Sequence, residues 1–122
     1  MNTKRNPPME EPSMKNPSVI TDRVLQEVLA ERIAQDDKFG EQNHPDGTGG
    51  GHLLHTAATL AHSNLQRAVE KGSATWYLML RDETMQAAIE RNPAKLRAHL
   101  IRVAADAVAW AEAIDRRAGG AS

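Results

Sequence analysis

Between Asn92-Pro93 and Gly119-Gly120 the chain sets Leu96, Leu100, Val103, Ala107, Trp110 and Ile114 at intervals of three and four residues. Only a helix returns side chains to one face at that period, so the spacing predicts a helix from Pro93 to about Arg117. Proline is well tolerated in a first helical turn, and Arg116 and Arg117 place positive charge at the negative end of the helix dipole. So long a stripe has to be covered, and the rest of the chain offers only helices to cover it.

Upstream, Ile20, Val24, Leu25, Val28, Leu29 and Ile33 repeat the pattern and predict a first helix over 21–37, capped by Thr21 or Ser18. A second helix is expected over 52–71, with Leu53, Leu54, Ala57, Ala58, Ala61, Leu65, Ala68 and Val69 inward and Gly72 ending it. The third starts at Ser73 or Thr75 and runs to about Arg91, where Asn92-Pro93 stops it. Its apolar residues form two stripes with Met79, Glu83, Gln86 and Glu90 between them, a pattern of a central bundle helix with a polar pocket or of a subunit interface. No segment alternates with period two, so no strand is expected. The fold class is all-α: four helices with short connections, arranged as an antiparallel bundle.

Composition agrees with a helical core. Hydrophobic residues make up 40% of the 122 positions but aromatics only 3%, so the interior has to be aliphatic and rich in alanine. Residues 1–18, with Pro7, Pro8, Pro12 and Pro17 among charges, read as a disordered tail; 19–117 read as one helical domain and 118–122 as a flexible tail. Fifteen Lys+Arg against sixteen Asp+Glu leave a net charge of −1, which provides no field for DNA or an acidic membrane. The lack of cysteine excludes disulfides and thiolate metal sites. With no apolar run of transmembrane length and no signal peptide, the expected location is the cytoplasm.

Three groups of residues invite chemistry. Gly47, Gly49, Gly50 and Gly51 precede the second helix, but no strand and no lysine accompany them as a P-loop requires. A helix cap or linker, or a weak anion site at the helix start, remains. His52, His55 and His62 share a helix face, yet a rise of ~1.5 Å per residue sets His55 and His62 about 10 Å apart, too far for one ion. No HExxH motif is present, so these histidines read as a solvated polar face. Asp82, Glu83 and Gln86 on the third helix share a side, while His99, Arg102 and Asp106 flank the stripe of the fourth. Facing carboxylates in a bundle can hold Mg²⁺ for phosphate chemistry; ordinary surface ion pairs are the competing account.

The segments QDDKFGEQNHPDGTG and VAADAVAWAEAIDRR, with the intervening TWYLMLRDETMQAAIERNPAKLRAHL, resemble small actinobacterial and actinophage proteins of the MazG-like, all-α nucleoside triphosphate pyrophosphohydrolase group. The likeness covers about Asp22 to Arg117. It implies a fold completed by oligomerisation, as a homodimer or larger assembly, and a Mg²⁺-dependent cleavage of an NTP to NMP and pyrophosphate. Carried over by position, Glu83, Asp82 and Gln86 occupy the catalytic motif. Asp82 and Glu83, with Asp106 beyond them, are the metal-ligand candidates, and Gln35, Lys38, Phe39, His99 and Arg102 are the candidates for contacting nucleotide. The family's carboxylates are replaced by Gln86, His99 and Arg102, and a hard cation prefers carboxylate oxygen to imidazole and is repelled by guanidinium. The implied function is therefore nucleotide binding with weak or absent pyrophosphohydrolase activity. The alternative is a non-catalytic nucleotide sensor or a module that binds a protein partner.

Overall fold

The computed structural model describes residues 17–120. The expected N-terminal tail lies almost wholly outside the described residues. Four helices follow in order: α1 (Pro17–Phe39), α2 (His52–Glu70), α3 (Trp76–Ala88) and α4 (Pro93–Gly120). Among the described residues there is no strand, and no helix is long and apolar enough to cross a membrane.

Local chemistry sets most of the boundaries. Gly72 turns at φ +72, letting its own N–H donate to Val69 and the Ser73 N–H to Ala68 O, which closes α2. Of the two candidate caps for α3, Thr75 serves: its hydroxyl oxygen accepts from the Leu78 N–H at 3.1 Å. α3 stops at Ala88, a turn earlier than its pattern suggests, because Ile89 already carries the C-cap and the Glu90 carboxylate turns to accept from the Asn92 N–H. Asn92 then caps α4 by accepting from the Lys95 N–H at 3.1 Å. α4 continues through Ala118, Gly119 and Gly120, three residues past the expected end.

α3 packs on both α2 and α4, while α1 packs on α4 alone. Among the described residues the buried hydrophobic positions are Val24, Ala58, Ala61, Ala68, Ala87, Leu96 and Val108, four of the seven being alanine. Alanine lets helix backbones approach closely, which explains a core without a fully buried large side chain.

Not every expected inward position is covered. Leu53 is 83% exposed and Val69 59%, because they point past the side of α2 that meets α3. Among the α1 residues whose burial is described only Val24 is buried, and every residue from Leu25 to Phe39 is exposed. The anchor of α1 is its first two turns, where Thr21 Oγ1 donates to Glu112 Oε2 at 2.9 Å.

Candidate functional site

α2, α3 and α4 surround an open cavity of about 390 Å³. α2 contributes Ala58, Thr59, His62 and Ser63, and α4 contributes His99 and Arg102, three residues apart on one face. Asp82, Glu83 and Gln86 enter from α3, with Ile89 just beyond its end; their spacing of one, three and three keeps them on one side of the helix.

At the centre is Glu83. Its Oε2 lies 2.7 Å from His99 Nδ1 and 3.5 Å from Arg102 Nε. An ionised carboxylate only accepts, so the imidazole N–H donates to it. The other ring nitrogen of His99, Nε2, faces Glu90 Oε1 at 3.7 Å. His99 thus stands between two carboxylates of the α3 end, held there by the turn at Asn92. Asp82 has its own partners: Gln86 Nε2 donates to Oδ1 at 3.3 Å, and His62 Nδ1 lies 3.4 Å from the carboxylate.

Exposure separates these groups into two levels. The side chains of Asp82 and Glu83 are 14% and 20% exposed, whereas those of His62 and Arg102 are 52% and 55% exposed. The carboxylates and His99 form the deeper level, and His62 and Arg102 the mouth. Asp106, half-buried one turn beyond Arg102, has its carboxyl held above the usual carboxylate range, first by burial and then by the Glu83 charge.

Of the residues singled out in the sequence, the structure gathers Asp82, Glu83, Gln86, His99 and Arg102 around one cavity. Asp106 is near enough to Glu83 to feel its charge but does not line the cavity. Gln35, Lys38 and Phe39 lie on the exposed end of α1, away from the cavity lining, with Lys38 Nζ 5.2 Å from the Phe39 ring centroid. His52 and His55 are exposed at the start of α2, and neither lines the cavity.

His62 and Glu90 also belong to the cluster, although in the sequence His62 reads as part of a solvated polar face and Glu90 is not a candidate. Glu90 follows Glu83 and Gln86 at spacings of three and four, a signal present in the sequence. His62 carries none, since its pairing with Asp82 crosses from α2 to α3.

The donor set fits Mg²⁺ poorly. Glu83 is engaged by an imidazole and a guanidinium, Asp82 by an amide and an imidazole, and among the described residues no three of His, Asp and Glu form a group that could hold an ion. A hard cation needs several free carboxylate or water oxygens.

The loop between α1 and α2 is pinned next to this site. Gly49, buried at φ +87, donates its N–H to Ala88 O at 2.8 Å, and its carbonyl accepts from Arg91 Nη2 at 2.6 Å. A Cβ there would stand 2.7 Å from Arg91 Cγ. The glycine-rich segment thus ties the loop to the end of α3.

Compared with protein-family models, with curated proteins and with solved structures, the chain gives no match.

Proposed function

We propose that the protein is a nucleotide-binding relative of the MazG-like pyrophosphohydrolases, its helices forming a bundle whose cavity receives phosphate groups without hydrolysing them. The observation that carries this reading is the Glu83–His99–Arg102 cluster, in which the one glutamate kept from the family's motif is already bonded to fixed nitrogen donors. Arg102 and His62, at the mouth, are the groups an anionic ligand meets first, and a guanidinium gives phosphate a charge-assisted, two-pronged hydrogen bond. Ser63 on the same rim supplies a neutral hydroxyl donor. Mg²⁺ has no part in this binding.

Calorimetric titration of the full chain with a panel of NTPs and dNTPs, in EDTA and in Mg²⁺, tests the proposal alongside an assay of pyrophosphate release. Binding is expected in both buffers without turnover, with Arg102→Ala weakening it about tenfold or more. No binding of any nucleotide, or Mg²⁺-dependent pyrophosphate release that disappears in Glu83→Gln, overturns it.

A second feature favours self-association as part of the same reading. Leu25, Val28, Leu29 and Ile33 leave an apolar row on α1 between 45% and 53% exposed. A helix this bare is marginal in water unless something covers it, and a homo-oligomer supplies the cover.

A further inference from the structure

Two surfaces of the chain lack a counterpart, and they match. The first is the free length of α1. At 100° per residue Leu25, Leu29, Ile33 and Asp36 fall within an arc of about 80°, so one carboxylate sits inside an apolar row. Asp36 is held only by Arg32, at 3.0 Å in a pair exposed on both sides, and such a pair adds little stability.

The second is a groove of about 260 Å³ between α2 and α3, on a different face of α3 from the candidate site. Ala57, Leu60 and Ala61 line it from α2 and Met85 from α3, giving an apolar wall. Within it lies Arg81, whose Nε–H is buried with no acceptor. The guanidinium carbon stands 5.8 Å from the Tyr77 ring centroid, and Arg81 has no ion pair among the described residues. A buried donor without an acceptor is costly, and a carboxylate is the acceptor that suits a guanidinium best.

We propose that this groove is the seat for α1 of a second copy of the chain, two molecules exchanging helices so that Leu29 and Ile33 of one cover Leu60 and Met85 of the other and Asp36 meets Arg81. The lengths agree. Ala57 to Asn64 along the groove and Leu29 to Asp36 along the row are both separated by seven residue steps, about 10 Å of helix. The charges agree too: an unpaired cation in an apolar groove faces an anion in an apolar row. Exchange in both directions closes a two-fold dimer and covers both surfaces at once. The inference rests on the self-association proposed above and adds where it happens.

Sedimentation of the full chain over a micromolar concentration series tests it, with circular dichroism confirming that each variant stays helical. The wild type is expected to dimerise. Arg81→Asp and Asp36→Arg should each weaken the dimer about tenfold or more, and the two together should restore it. Leu60→Glu, at a position exposed in the single chain, should dissociate the dimer without unfolding the protomer, and so should Leu29→Glu. A wild type that stays monomeric throughout overturns both self-association and the groove. A dimer broken by Leu29→Glu yet indifferent to Leu60→Glu and to the charge exchange overturns the groove alone, leaving α1 on another face or another partner in its place.

Discussion

α3 has helices on two sides, and α1 has one neighbour at one end. The consequence runs through every side chain. On α3, Ala87 is buried, most other positions are half-covered, and the carboxylates of Asp82 and Glu83 have partners on α2 and α4. On α1 the same kind of apolar spacing produces a row that is exposed at every position beyond Val24. Helical periodicity defines a face; only a neighbour turns that face into stability.

The largest expected effect comes from opposing truncations in the two regions. Leu96→Ala, at a position 7% exposed, should cost about 2–5 kcal/mol of stability in urea titrations. Ile33→Ala, at 53% exposed, should cost under about 0.5 kcal/mol when the protein is dilute enough to be monomeric. Equal losses at the two sites would break the contrast drawn here between a packed region and a bare one. A loss at Ile33 that grows with protein concentration would sharpen it, by showing that assembly covers the row.

Gly49→Ala should come next. It combines a positive-φ position with a Cβ crowded against Arg91, and is expected to destabilise by about 1–3 kcal/mol. Hydrogen exchange should show the added opening at the α3–α4 turn and not in α1. A neutral result would mean that the loop is not a fixed part of the packed region.

Asp106→Asn should have the smallest effect, and its sign is informative. A carboxyl whose folded pKa is raised takes up protons more readily in the folded state. It therefore weakens the fold as pH rises from the ordinary value of 3.8 through the raised one. The asparagine variant removes that penalty, so its melting temperature should exceed that of wild type at pH 7 by on the order of a degree or two, and the gain should vanish at pH 3. A fall at pH 7 would mean that the Asp106 carboxylate makes a favourable contact there.

Much of the local architecture was legible. Pro93, Gly72 and the stripe from Leu96 to Ile114 announced their helix and boundaries, and Asp82, Glu83, Gln86, His99 and Arg102 were candidates before they were seen around one cavity. Other features were not. Leu53 and Leu25 carry the same spacing as buried residues and are exposed, because spacing does not say which helix lies alongside. His62 reads as a surface residue in its own helix and becomes part of the site only through Asp82 on the next.

By itself, the sequence determined the four helices, the Thr75 cap, the Gly72 and Pro93 boundaries and the lack of strands among the described residues, since dihedral preferences, capping groups and apolar period act within a few residues. The cap expected for α1 failed, because the helix starts at Pro17 with Ser18 and Thr21 inside it. The tertiary structure alone decided that Glu83 is held by His99 and Arg102, that Arg81 keeps a buried N–H without an acceptor, and that α1 stands bare beyond Val24. These depend on distances between residues far apart in the chain, and helix packing, which sets them, has no local signature.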